Sequence, residues 1–333
     1  MSFRTLRILI VVLCALNSNA QTFDIEQTSQ LIRPRMKLDS KYTFDPATKD
    51  TGGAYTCFEN SASFTFPIKR KFTTEINLDL KDFKLQDLFK KNLRIKASEV
   101  LGTFKISQKN ISFGIEDTLA KRDLYYINAG IIGLHLTKKY RILFYSANMN
   151  VHEDAKTFNQ STLRFSAIVG QYHIRGLRKG FYYGMSLIYS DGLLIPSPFI
   201  GGMEPISERW TFNYTLPVQL NIQYYHHATY VVFGVKTDGY RSGIKLGSGR
   251  GNMNYGNVCT YINVRRKITR IIQVFGEVGY NFYQFMSFDD GMKNSAVWPE
   301  QVKVPMNSSF YGNISVQVFF GKSLLEKVTD QLF

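Results

Sequence analysis

Between Trp210 and Tyr224 the chain keeps a strict period of two. Trp210, Phe212, Tyr214, Leu216, Val218, Leu220, Ile222 and Tyr224 share one parity, while Thr211, Asn213, Thr215, Pro217, Gln219, Asn221 and Gln223 share the other. Successive side chains of a β-strand point to opposite faces, so the pattern predicts one long strand with an apolar and a polar side. A strand in a soluble sheet usually runs about five or six residues, and this stretch is far longer. Its apolar face is aromatic at both ends and aliphatic between. A strand that crosses a bilayer inside a closed barrel has that profile, with aromatics at the two lipid–water interfaces.

The alternation recurs. Ile272, Val274, Val278, Tyr280 and Phe282 stand against Gln273, Glu277 and Asn281. Ile314, Val316, Val318 and Phe320 stand against Asn313, Ser315 and Gln317. Leu143–Val151, Phe181–Tyr189 and Phe72–Leu80 alternate likewise. Many such segments argue for an all-β, antiparallel, up-and-down transmembrane barrel. Beyond the first twenty residues no apolar run reaches the roughly 18 residues of a membrane-spanning helix. Short and long connections take turns: Lys138–Lys139, Arg175–Lys179, Tyr225–Ala228 and Arg266–Thr269 are short, and Val151–Ser161, Asp191–Glu208, Gly239–Asn257 and Asp289–Ser309 are long. Short periplasmic turns and long extracellular loops produce that order. Lys69–Lys71 reads as another short turn and Phe83–Asp123 as a long outer connection, giving about 12 strands. If Leu93–Ser107 and Ile111–Ile115 form a membrane hairpin instead, the barrel has 14. Pro67 and Pro217 lie on the polar parity of two similar segments, Ser63–Ile68 and Asn213–Val218. Each is expected to mark a bulge.

Residues 1–20 read as a secretory signal peptide, with Arg4 and Arg7 before the apolar run Ile8–Leu16 and cleavage after Ala20. Residues 21–35 follow as a periplasmic segment, 36–321 as the barrel, and 322–333 as a periplasmic tail. Leu324, Leu325, Val328 and Leu332 in that tail have helical spacing. The bacterial outer membrane is the expected destination. Phe320 or Phe333 would be the terminal aromatic offered to the barrel assembly machinery. Cys57 and Cys259 read as isolated thiols rather than a disulfide scaffold. The net charge of +15 comes with no nucleic-acid motif, so outer-membrane lipid and lipopolysaccharide are the expected partners.

The stretch Gly192-Leu-Leu-Ile-Pro-Ser-Pro-Phe-Ile-Gly-Gly202, followed by Trp210 and Leu216-Pro217, resembles a family of uncharacterised bacterial outer-membrane β-barrel proteins defined by a domain of unknown function. The resemblance spans about Lys37 to Gly321. It implies an outer-membrane barrel and transfers no functional residue.

The chain carries no phosphate-binding motif, no H-x-x-x-H or C-x-x-C metal spacing and no nucleophile elbow. Neither catalysis, a cofactor nor a metal is expected. If the apolar parity faces lipid, the candidate lumen-lining residues are Glu75, Asp79, Arg141, Arg164, Asn213, Gln219, Asn221, Gln273, Glu277 and Asn281. A passive channel for a small solute is then the first functional expectation. A structural or surface-interaction barrel with a plugged lumen is the alternative, and an outer-membrane hydrolase a weaker one. Lys69–Lys71, Lys138, Lys139, Arg175, Arg178, Lys179 and Arg265–Lys267 are expected to gather at the periplasmic end, against anionic headgroups.

Overall fold

A computed structural model describes residues 33–44, 54–76, 93–115, 118–136, 141–154, 158, 163–176, 179–190, 193–246, 249–289 and 302–320. Fifteen strands run in chain order: β1 Arg35–Phe44, β2 Tyr55–Ile76, β3 Leu93–Ile115, β4 Thr118–Leu136, β5 Arg141–Glu153, β6 Arg164–Gly176, β7 Lys179–Ser190, β8 Leu193–Pro205, β9 Trp210–Leu216, β10 Gln219–His226, β11 Thr229–Leu246, β12 Gly249–Lys267, β13 Ile272–Asp289, β14 Val302–Met306 and β15 Ser309–Phe319. From β1 to β14 each pairs antiparallel with its neighbours in sequence, and β15 pairs with β13 and β1. The β12–β13 and β1–β15 pairings close the sheet on itself. β14 and β15 follow one another along β13, one stave interrupted at Asn307–Ser308, so the closed barrel has 14 staves. Closure pairs the sheet's edges, as hydrocarbon requires of a spanning sheet.

Three sequence expectations change. First, Trp210–Tyr224 is not one strand but the β9–β10 hairpin, turning at Pro217–Val218, where Val218 N donates to the Thr215 carbonyl at 2.6 Å. Trp210 and Tyr224 therefore share one end, with ring centroids 4.8 Å apart. Second, Asp191–Glu208 and Gly239–Asn257 are not long loops. The first contains β8, and the second is the paired distal half of β11–β12. Third, 12 strands become 14: β3 lies inside the expected outer connection but offsets the joining of the segments either side of Lys69–Lys71 into β2, while β8 and the division of Trp210–Tyr224 into β9 and β10 add two. Lys69–Lys71 is no turn either. β2 runs through it to Ile76, with a register shift between Pro67 and Lys69. Pro67 thus sits at the expected bulge, and Pro217 at a turn instead. The expected signal peptide, the segment before Arg33, the Lys138–Lys139 turn and the tail lie outside the described residues.

We call the end that holds Arg35 and Phe319 proximal and the other distal. Outward positions form an apolar belt that includes Leu38, Ile106, Ile131, Leu143, Met185, Leu220, Phe233, Ile262, Val278 and Ile314. Aromatics edge the belt on both sides. Phe165–Tyr189, Phe44–Phe310 and Tyr280–Phe310 lie distally at 6.4, 5.9 and 4.8 Å between centroids, and Trp210–Tyr224 lies proximally. Arrangements of this kind place a barrel in a membrane with its interfaces marked by rings. A concavity of about 730 Å³ indents this outer face, where Ser40, Asn60 and Ala62 stand among Leu38, Ile106 and Ile127. It belongs to the lipid-facing wall, not to the lumen.

Candidate functional site: a divided lumen and a gap in the wall

The inward parity carries two kinds of surface. On β1–β3 and β11–β15 it is charged and filled. Lys41 reaches across the lumen from β1 to Asp238 on β11, Nζ to Oδ2 3.4 Å. Lys109 pairs with Glu59 at 3.0 Å, Lys37 with Asp39 at 2.6 Å and Lys236 with Glu277 at 2.6 Å. Glu277 also accepts from Tyr311 Oη at 3.0 Å and Asn263 Nδ2 at 3.2 Å. The ammonium groups of Lys41, Lys109 and Lys236 lie 4.7, 4.2 and 4.5 Å from the rings of Tyr311, Tyr240 and Tyr261. Withdrawn from water, these charges are tolerated because each meets an opposite charge and further donors.

Distal to this network the same half of the lumen is closed by an apolar cluster. Tyr55, Ile111, Phe113, Leu124, Ile244, Met253, Tyr255 and Met286 are buried there together. Tyr55 stacks on Tyr255 at 4.6 Å, and its hydroxyl lies 3.2 Å from that of Tyr240. A straight axial route through this half is blocked twice, by packed rings and by ion pairs.

The inward face of β4–β8 is different. Leu134, Phe144, Ile168, Tyr172, Tyr182 and Phe199 form its apolar surface, and no charged side chain interrupts them between Arg164 and Met203 on β6–β8. Four glycines explain how the rings fit. Side chains at Gly170, Gly180, Gly184 and Gly201 would overlap Phe144, Tyr172, Phe199 and Tyr182, so each ring lies flat over a neighbouring strand's backbone. Tyr182 is anchored there, its hydroxyl 2.8 Å from the Tyr214 carbonyl and 2.6 Å from Thr215 Oγ1. Flat rings line the wall without projecting into the space before it.

Beside this wall the barrel is incomplete. β9 and β10 have 7 and 8 residues, against 13 in β8 and 18 in β11. β8 pairs with β9 only over Ile200–Pro205, and β11 with β10 only over Thr229–Lys236. Above the hairpin, no described strand lies between the distal half of β8 and the residues of β11 beyond Thr237. β11 leans inward instead and meets β5 in a one-residue bridge, Gly243↔Glu153.

Both free edges are finished. Ser186 Oγ on β7 donates to the Ser197 carbonyl at 3.2 Å, so Ser197 turns its backbone groups toward β7. Alternate residues turn theirs the other way. The N–H groups that would face the gap therefore belong to Pro196 and Pro198, which have none. On β11, Gly239 N donates to Asp238 Oδ1 at 2.8 Å, and the Arg241 carbonyl accepts from His152 Nδ1 at 3.0 Å and from Arg164 Nη1. The Gly243 carbonyl accepts from Asp154 N at 3.2 Å. An unsatisfied backbone group in lipid costs several kcal/mol, and these devices lower that cost at the places where a wall is missing.

Of the candidate lumen residues, Arg164, Asn213, Gln219, Asn221, Gln273, Glu277 and Asn281 point inward. Asn213 Nδ2 donates to Asn221 Oδ1 at 2.9 Å, Gln219 Nε2 to Tyr261 Oη at 2.5 Å, and Asn281 Nδ2 to Ser309 Oγ at 2.8 Å. Arg164 is a strut, its Nη2 3.1 Å from Asn252 Oδ1 on β12. Arg141 is exposed and shares the outward parity of Leu143, so the alternation of Leu143–Val151 itself places it outside the lumen. Glu75 lies on β2 where side chains are not described, and Asp79 lies outside the described residues. The sequence reading missed Lys41, Glu59, Lys109, Lys236 and Asp238. Their parity was available in β1, where Lys37, Asp39 and Lys41 alternate with Leu38, Ser40 and Tyr42. Cys57 and Cys259 are buried and free. Of the basic residues expected at one end, Lys69–Lys71, Arg175, Lys179 and Arg265–Lys267 do lie toward the proximal end, and Lys138, Lys139 and Arg178 are outside the described residues.

No protein-family model and no curated relative matches the sequence. Among solved structures, the chain is similar to the COG4313 outer membrane channel from Pseudomonas putida F1, at TM-score 0.42 and 9% identity over 86% of this chain and 96% of that one. It is also similar to the transport unit of the autotransporter AIDA-I from Escherichia coli, at 0.35 and 12% over 92% and 96%. A third likeness is to Omp33 from Acinetobacter baumannii, at 0.29 and 9% over 87% and 99%. All fall below a TM-score of 0.5 and carry nothing about function. What stands, from closure, the apolar belt and the aromatic edges, is an all-β antiparallel barrel of the outer-membrane type.

Proposed function

We propose that this chain is a passive passage protein of the bacterial outer membrane, exported by its N-terminal signal, and that its solute is small and bears apolar surface. The observation that carries the reading is the division of the lumen. One half is filled by paired charges and packed rings, whereas the described β4–β8 face proximal to Arg164 is uncharged and smoothed by rings seated on glycines. A passage for ions or sugars is lined with charged and hydrogen-bonding groups along its length; this face offers mainly aromatic and aliphatic surface, with hydroxyls and the amides of Asn128, Asn148 and Asn150 toward β4 and β5. Passage breaks no bond and asks for no cofactor.

Proteoliposomes test this. Reconstituted protein should speed the entry of small uncharged aromatic solutes well above that of protein-free vesicles, and charged solutes of equal size much less. Equal entry of both with and without protein contradicts it. The second reading, a structural barrel with a plugged lumen, draws on the Lys41–Asp238 contact across the lumen and is what that negative result would favour.

A further inference from the structure

The gap between β8 and β11 opens within the lipid belt. In the β7–β8 ladder Pro198 lies opposite Met185 and Pro196 opposite Leu187. Both partners are exposed outward, and both lie proximal to the distal aromatic pair Phe165–Tyr189. At the usual strand spacing of about 4.8 Å, two missing half-strands leave roughly 14 Å between β8 and β11. At its distal end β11 meets β5 through the Gly243↔Glu153 bridge. The inner mouth is two-faced. Ile188, Ile195 and Phe199 are on the β8 side, with Ser186 and Ser197 between them, while Lys236 and Asp238 stand across the lumen. Proline on one edge and side-chain caps on the other keep the two edges from needing partners.

From this juxtaposition we infer that the gap is a lateral doorway between the barrel interior and the outer-leaflet lipid, and that the solute is a single-tailed amphiphile. The tail lies on the ring-smoothed face and leaves sideways into acyl chains. The polar head stays beside Thr215 and Gln219 at the hairpin tip until the tail is out. A wholly polar solute gains nothing from a hole that faces hydrocarbon. The inference deepens the passage reading above and rests on it.

Photolabelling reads it directly. The full-length mature protein in phosphatidylcholine vesicles is exposed to a 12-carbon fatty acid bearing a terminal diazirine, irradiated and mapped by peptide mass spectrometry. Label at least fivefold richer on residues 194–199 and 215–219 than on the outward belt around Leu143 and Met149 is the expected result. Label spread evenly over the belt overturns the doorway. A functional arm lengthens the β9–β10 hairpin by three residues on each side of Pro217–Val218, completing the wall. Transfer of a fluorescent fatty acid from water into the vesicle lipid should fall at least tenfold. Should that variant not refold, Ser197→Trp fills the mouth from within and should give the same loss. Unchanged fatty-acid transfer in a refolded variant sinks the doorway and leaves the passage reading intact. Passage of neither fatty acid nor uncharged solute by the wild type sinks both.

Discussion

Glu277 holds three donors at once, Lys236, Tyr311 and Asn263, at 2.6, 3.0 and 3.2 Å. Removing its charge strands the Lys236 ammonium in a site largely withdrawn from water. Breaking one side of a buried pair costs about 3–5 kcal/mol, whereas replacing both partners by apolar groups is often close to neutral. Glu277→Gln should therefore lower stability toward urea by several kcal/mol, and the double substitution Lys236→Met with Glu277→Leu should recover most of it. Equal losses in the single and double variants would show that the pair does not act as a unit. The uncharged face is set by a different residue-scale device. Gly201→Leu drives a side chain into the Tyr182 ring; overpacking of that kind costs about 1–3 kcal/mol. It should also detach the Tyr182 hydroxyl from Thr215, and urea midpoints in detergent would report the loss. A midpoint equal to wild type would mean that the ring has room to move and that the glycine is not its seat.

At the scale of elements, the β9–β10 hairpin shows what alternation can and cannot reveal. Its pairs, Trp210↔Tyr224, Phe212↔Ile222 and Tyr214↔Leu220, join residues of like parity across a two-residue turn. The apolar face therefore continues through the turn without a break in pattern, and the sequence reads as one long strand. Trp210→Ala and Tyr224→Ala provide the check. In one long strand the two rings would lie at opposite interfaces and their effects would add. Stacked at 4.8 Å, they should show a coupling of about 0.5–1.5 kcal/mol in a double-mutant cycle of unfolding. Strict additivity would contradict the hairpin. β8 was hidden for a related reason. Pro196 and Pro198 read as loop residues because proline cannot join a ladder, yet both face the side of the strand that has no ladder. Where strand pattern and outward burial agreed, as in β5, β7, β13 and β15, faces and approximate extents were legible from residue alternation. Strand number and the short hairpin were not, because they depend on which strand each edge meets.

For the whole molecule, alternation identified a closed barrel and its lipid face but not its interior. Lys41 and Asp238 lie 197 positions apart, and only closure brings them together; the apolar cluster that blocks the distal end likewise draws on seven strands, β2, β3, β4, β11, β12, β13 and β14. The resulting molecule has a filled half and an uncharged half within one wall, so its permeability to ions should be far below its barrel size. The most direct test is single-channel recording of the refolded wild-type protein in planar bilayers. A silent or barely conducting barrel is the predicted result, and Lys41→Met with Asp238→Asn should leave it so, because the packed rings distal to that pair still block the route. A steady wild-type pore as conductive as a general porin would contradict it.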